Sequence, residues 1–361
     1  MGIIIAILVF SLMVLIHEWG HFIVARKNGV FVEEFALGMG PKIVGHISKK
    51  TGTLYSWRLI PMGGFCRMLG EEEASDNEGS FSSKSVWARL AIVAAGPVMN
   101  IVMAYVLTVV VMACSGYYTT EIRGLDTGYD AAKAGIEVGD YLLKIDGRRI
   151  HTYQDLSYAL MDMDGSPVEV VLKKADGTQE TLTVTPQYDE EQGRYRLGIT
   201  IGSDSGGWAD VVKKQGTGAL PGAILSTLGE AWWQLIGNVK LIIRSFVQLV
   251  TGQVSVGNMM GPIGIVSVMD TTYTEAVQYG WLTALLSIFN LTALLSVNLG
   301  VMNLFPIPAL DGSRIVFLIL EGIRRKPISS KVENMIYTIG FILLMALMVF
   351  MAYQDIVRLF V

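Results

Sequence analysis

The chain has 361 residues, 52% of them hydrophobic and 17% charged, with a mean hydropathy of +0.46. That is too apolar for an ordinary soluble protein and too polar for one lying wholly in a bilayer, so a membrane protein with a soluble insert is expected. A formal net charge of −4 and the lack of any basic run argue against a nucleic-acid partner.

The first predicted element is an apolar run over about Ile3–Ala25, long enough to cross a bilayer. No basic residue precedes it and no small-residue cleavage site follows it, so it reads as a retained span rather than a signal peptide. Inside it lies His17-Glu18-Trp19-Gly20-His21. On a helix this spacing puts two imidazoles on one face, where both reach one metal ion, with Glu18 between them as a general base. HExxH alone also arises by chance. Ionisable groups at hydrocarbon depth, however, are costly and mark function.

Glu33–Met68 follows, with strand-like runs such as Thr53–Ile60 and glycines at the presumed turns (Gly38, Gly40, Gly52, Gly63, Gly64). One reading is a small cytoplasmic hairpin packed on the span ends. The favoured one is an edge strand beside the metal. A helical substrate must become extended before cleavage, and an added strand satisfies its exposed N–H and C=O groups. The acidic patch from Glu71–Glu73 to Glu78 reads as a solvated loop. A second span covers about Leu90–Cys114, and its Asn100, polar in hydrocarbon, is expected to hydrogen-bond another span.

Tyr117 to about Ser203 reads as a soluble unit of short strands and turns. Its stretch Ala131–Ile150 resembles the centre of a PDZ domain, where a helix and turn lead into a strand and an Asp-Gly hairpin. Val168–Lys173 and Glu180–Thr185, joined through Asp176-Gly177, supply another hairpin. PDZ domains take up extended peptides by strand addition; whether this unit binds peptide tails or only obstructs access stays open. Leu220–Val250 carries Glu230, Lys240 and Arg244, which fits an amphipathic surface helix better than a fifth span. Trp281–Phe305 and Ile336–Ala352 are the third and fourth spans.

Positive charges set the orientation. Arg26 and Lys27 follow the first span, Lys84 and Arg89 precede the second, and Arg324, Arg325, Lys326 and Lys331 precede the fourth. Those ends are cytoplasmic, so the termini and the insert between spans two and three lie outside. Cys66 and Cys114 then fall on opposite sides and form no disulfide.

Pro306 and Pro308 break the backbone just before Asp311. Broken backbone at membrane depth is tolerated only where it is buried in protein or lines a cavity. Asp311 is therefore the candidate third ligand of a His₂Asp zinc site, the alternative being a loop in which it caps the next helix. Depth agrees. His17 lies about fourteen residues into its span, ~21 Å at 1.5 Å per residue. In a core ~30 Å thick that is within roughly 10 Å of the cytoplasmic face, the side on which the third span ends.

With these residues the chain resembles the site-2 protease family of intramembrane zinc metalloproteases, in its bacterial RseP-type branch. The resemblance rests on His17-Glu18-x-x-His21, Gly38-Met-Gly40-Pro41, Ile60–Gly64, Gly96-Pro97-Val-Met-Asn100, Gly261–Ile265 and Asn303 through Gly312. It implies zinc on His17, His21 and Asp311, water activation by Glu18, and substrate holding by Asn303. Ser313 stands where a second glycine is common, a change that leaves the ligand in place.

The expected fold class is a polytopic α-helical membrane protein with about four transmembrane helices, a membrane-associated β-hairpin region and an inserted extracytoplasmic α+β PDZ-like domain. Residues 1–114 form the N-terminal membrane core, 115–203 the PDZ-like domain, 204–280 a linker with amphipathic helices, and 281–361 the C-terminal membrane core. The expected activity is zinc-dependent cleavage of transmembrane segments of single-span proteins, after prior trimming, in the bacterial cytoplasmic membrane. Anti-sigma factors and remnant signal peptides are the substrates the resemblance implies. The competing readings are a membrane transporter and a PDZ-based scaffold without proteolysis. An intact Glu18 between paired histidines serves neither.

Overall fold

The computed structural model describes residues 1–361 apart from 72–74, 191–192, 203–205, 256, 258, 327 and 361. In chain order the elements begin with α1 (Gly2–Lys27), β1 (Val32–Ile47), β2 (Leu54–Met68) and α2 (Val86–Ser115). Then come β3 (Ile122–Leu125), α3 (Asp130–Lys133), β4 (Tyr141–Ile145), β5 (Arg148–Arg149), α4 (Tyr153–Met161), β6 (Val168–Lys173) and β7 (Gln179–Val184). After β8 (Gln187–Asp189), β9 (Arg194–Arg196) and β10 (Ile199–Ile201), the rest is helical: α5 (Trp208–Gln215), α6 (Leu220–Val250), α7 (Pro262–Val277), α8 (Trp281–Leu304), α9 (Asp311–Arg324) and α10 (Ser330–Phe360). The chain forms two compact units, residues 1–107 with 241–361, and residues 108–240.

In the first unit, α1, α2, α8 and the Lys331–Arg358 part of α10 are long and apolar enough to cross a membrane. This is a polytopic helical membrane protein. α6, at 31 residues, is not among these four helices. On α1 the buried residues Ala6, Val9, Met13, His17, Gly20 and His21 recur every three or four positions, forming one stripe against the protein. Ile3, Ile4, Leu8 and Leu12 stay exposed although apolar, as a lipid-facing side should. The HExxH histidines belong to the protein-facing stripe.

β1 and β2 are each long enough to be used twice, pairing antiparallel in two stretches and side by side in the same direction in a third. Residues 34–37 of β1 pair with 64–67 of β2 on one side and with 54–57 on the other, while 42–47 return along 54–58. Leu54–Trp57 is therefore hydrogen-bonded along both sides. This corrects the expectation of an edge strand at Thr53–Ile60: that segment is internal, and residues 64–67 form an edge. Glu71 is likewise no solvated residue, since Arg314 pairs with it; the adjoining 72–74 part of the acidic patch lies outside the described residues.

α8 stops where the sequence demands. Phe305 is extended before Pro306, as a residue preceding proline prefers, and Ala309 holds φ +72°, a left-handed conformation that is strained for a side-chain-bearing residue. α9 restarts at Asp311. Gly312 permits this tight reversal, because a Cβ there would meet the Phe305 carbonyl at 2.0 Å. Ser313 continues the helix, its hydroxyl donating to the Leu310 carbonyl at 2.8 Å.

The second unit has its own core of Ile122, Ile136, Leu142, Ile145, Val170, Leu172 and Val184, each at most 2% exposed. β5-β4-β6-β7 form one antiparallel sheet and β10 pairs with β3. In β6, Val168, Val170 and Leu172 point inward and Glu169 and Lys173 outward, the period of a one-face-buried strand. Asp146-Gly147, at φ 48° and 72°, turns β4 into β5 with the left-handed pair that a tight hairpin needs. Asp176-Gly177 turns β6 into β7, with Asp176 accepting from the Thr178 amide.

Candidate metal centre

His17 and His21 lie one turn apart on α1, each 8% exposed. Their Nε2 atoms approach to 3.2 Å, and Asp311 Oδ2 stands 3.0 Å from that of His17 and 3.6 Å from that of His21. Two nitrogens bound tetrahedrally at ~2.05 Å from one zinc ion would be ~3.3 Å apart, so the three separations bracket the edge of a zinc tetrahedron.

The proton inventory points the same way. His21 Nδ1 lies 2.8 Å from the Ile92 carbonyl, which can only accept, so Nδ1 carries the proton and the Nε2 of the neutral ring is a bare lone pair. Asp311 Oδ2 is buried and has no polar partner of hydrogen-bond geometry among the described residues, its neighbours being the two Nε2 atoms. Lone pairs converging in a buried space repel unless a cation sits among them. Among the described residues these three are the one His/Cys/Asp/Glu trio so assembled, with all ligand atoms within 4.8 Å of one another. Asp311 is the first residue of α9; the cap position belongs to Leu310, and the carboxylate faces the histidines instead of capping the helix.

α2 makes this geometry possible by lacking side chains where it touches α1. A Cβ on Gly96 would lie 2.3 Å from His21 Nε2 and 2.9 Å from His17 Cε1. One on Gly20 would meet the Ala95 carbonyl at 2.3 Å, so the two helices approach backbone to backbone, a small-residue contact typical of membrane helices. Pro97 withholds the N–H that would bond the Val93 carbonyl, loosening the turn beside the site.

Glu18 is partly buried, and its Cγ lies 3.9 Å from where a Cβ on Gly64 would stand. The free edge of 64–67 thus borders Glu18, a feature that depends on strand order and that sequence reading missed. Burial pushes the Cys66 thiol well up, keeping it protonated and inert, and both cysteines are free. Asn303 sits half-buried in the last turn of α8, and its side chain has no hydrogen-bond partner among the described residues.

The sequence profile of Peptidase family M50 matches residues 5–347. The chain belongs to this family. A protein of Clostridium perfringens, provisionally named a zinc metalloprotease, is 38% identical over 362 residues, 99% of each chain. The zinc metalloprotease RasP of Bacillus licheniformis is 30% identical, and the regulator of sigma-W protease RasP of Bacillus subtilis 29%, each over 98% of both chains. This M50 peptidase is an RseP-type zinc metalloendopeptidase of the site-2 protease family, an intramembrane protease whose cofactor is Zn²⁺. The transporter and scaffold readings fall with that finding.

Proposed function

We propose that this M50 peptidase holds zinc through His17, His21 and Asp311 and uses Glu18 to cleave transmembrane segments of single-span proteins, trimmed beforehand, in the bacterial cytoplasmic membrane. The observation that carries this reading is the convergence of His17 Nε2, His21 Nε2 and Asp311 Oδ2 at tetrahedral spacing, with Glu18 on the same helical turn. Bound zinc supplies a Lewis acid that polarises the scissile carbonyl and acidifies the attacking water. Glu18, beside the 64–67 strand, would take a proton from the attacking water and deliver it to the leaving nitrogen as the C–N bond breaks. Asn303, with its amide free among the described residues, would hold the substrate backbone.

Strand addition on the 64–67 edge fits this chemistry. A peptide laid there is extended, keeps its backbone groups satisfied, and runs past Glu18. The turns of β1 and β2 expose Met39, Ile43, Val44, Trp57, Leu59, Ile60 and Met62, which supports their immersion in lipid. Ser11, six residues deeper in the span than His17, donates to the Pro61 carbonyl at 2.5 Å, which supports the same depth. The insert is read as extracytoplasmic and PDZ-like from the Lys/Arg distribution and the Ala131–Ile150 pattern. Its role here is exclusion of substrates with bulky outer domains. The name of the Bacillus subtilis relative, regulator of sigma-W protease, supports a substrate that restrains a sigma factor.

Metal analysis of purified protein, together with cleavage of a model transmembrane peptide, tests the reading. Wild type should carry one zinc and cleave. Full zinc retention in Asp311→Ala would remove Asp311 from the ligand set.

A further inference from the structure

Asn100 lies in the middle of the second span, 0% exposed. A carboxamide at such depth costs free energy unless each polar atom has a partner, and packing alone would be served by leucine. Its Nδ2 stands 3.1 Å from His17 Nδ1, while its Oδ1 is buried with no partner among the described residues. We propose that Asn100 is a positioning residue of the zinc site: its side-chain oxygen accepts the Nδ1 proton of His17 and fixes the tautomer whose Nε2 lone pair faces the metal.

The argument is one of donors and acceptors, and it rests on the reading of His17 as a ligand. A neutral imidazole that offers Nε2 to zinc keeps its single proton on Nδ1. Facing Asn100 Nδ2, that proton would meet another donor. A half-turn of the amide exchanges Nδ2 and Oδ1, moves nothing else, and gives the proton an acceptor where the orphaned oxygen now has none. His21 is already held in this way, its Nδ1 on the Ile92 carbonyl at 2.8 Å. Each zinc-facing ring thus has one neutral acceptor on α2, a main-chain carbonyl for His21 and a side chain for His17. The anchoring extends further, because Ser296 Oγ on α8 donates to the Asn100 carbonyl at 2.7 Å. The run Gly96-Pro97-Val98-Met99-Asn100 then has a physical meaning: Gly96 makes room for both rings, and Asn100, one turn further, orients the nearer one.

The test is zinc affinity, measured by chelator competition on full-length protein, with cleavage as a second readout. Outer-shell partners of metal-bound histidines are typically worth 10–100-fold in affinity. Asn100→Leu, similar in size but without an acceptor, should weaken zinc by that factor. Asn100→Asp keeps an acceptor and should stay within about threefold of wild type on the same scale. Wild-type affinity in Asn100→Leu overturns the proposal. So does an Asn100→Asp protein that is folded yet as weak as Asn100→Leu. Should the leucine variant fail to fold, Asn100→Ser, too short to reach His17, replaces it; equal affinities for serine and aspartate overturn the proposal. His17→Ala in the same titration separates the two layers of argument. If it keeps zinc, the ligand assignment falls; if it loses zinc while Asn100→Leu does not, only the Asn100 inference falls.

Discussion

Gly96→Ala is the sharpest single-atom test of the metal centre. In an exposed helix this change stabilises, by up to ~1 kcal/mol, since glycine is a poor helix former. Here the added methyl would lie 2.3 Å from His21 Nε2, 2.6 Å from its Cε1 and 2.9 Å from His17 Cε1. Ordinary contact requires 3.4 Å or more, so something must move by about 1 Å. His21 cannot swing freely, because its Nδ1 is tied to the Ile92 carbonyl on the same helix that carries the methyl. Withdrawal of α2 would carry the Ile92 carbonyl away from His21 and open a gap where Gly20 now packs on the Ala95 carbonyl. Zinc–nitrogen bonds of 2.0–2.1 Å tolerate only ~0.2 Å of error, and a misplacement of ~1 Å costs on the order of 100-fold in catalysis. Zinc competition and peptide cleavage should therefore both fall by ~100-fold or more in Gly96→Ala. Gly229→Ala in α6, where nothing lies within 4 Å, is the control and should do neither. Stoichiometric zinc at wild-type affinity in Gly96→Ala would refute the reasoning, since it would mean that the rings do not need the space the glycine leaves.

Glu18→Gln should abolish cleavage while leaving one zinc per chain, because the role proposed for Glu18 is proton transfer and not ligation; normal proteolysis by this variant would sink the base assignment. His17→Ala, His21→Ala and Asp311→Ala should each lose zinc and activity together, read by metal analysis of the purified chains. N-methylation scanned along a model substrate should inhibit with a period of two around the scissile bond, because alternate N–H groups of an added strand face the 64–67 edge; uniform inhibition would count against strand addition. Replacing Ile122–Ile201 by a short linker should leave zinc in place, since every proposed ligand lies in the other compact unit, and should raise cleavage of untrimmed substrates. A folded, zinc-loaded deletion that no longer cuts short substrates would favour direct recognition by the insert over exclusion.

What was legible in the sequence was local. The HExxH spacing needs only helical periodicity to place two imidazoles together, and Pro306 and Pro308 announce a chain break before Asp311 without reference to any other segment. The hairpins at Asp146-Gly147 and Asp176-Gly177 were equally readable, because two residues fix a tight turn. The misreading of Thr53–Ile60 has a different origin. Its alternation marks a strand but carries no information about how many neighbours that strand has. Only the doubling back of β1, which pairs residues 34–37 and 42–47 with the same stretch of β2, hydrogen-bonds both of its sides. The solvated reading of Glu71 failed for the same reason, as its partner Arg314 is 243 residues away.

Gly96 and Asn100 show where the boundary between the two kinds of information falls. In a span rich in small and apolar residues, a glycine can be a packing contact and an asparagine a bond to any neighbouring helix, so neither residue type names its partner. Once His17 and His21 face α2, the ambiguity disappears: one position has no room for a carbon, and the other puts a carboxamide 3.1 Å from His17 Nδ1. The proposed metal site is thus written twice in the chain, as a motif on α1 that spacing reveals and as a complementary surface on α2 that only the packing of the two helices makes readable.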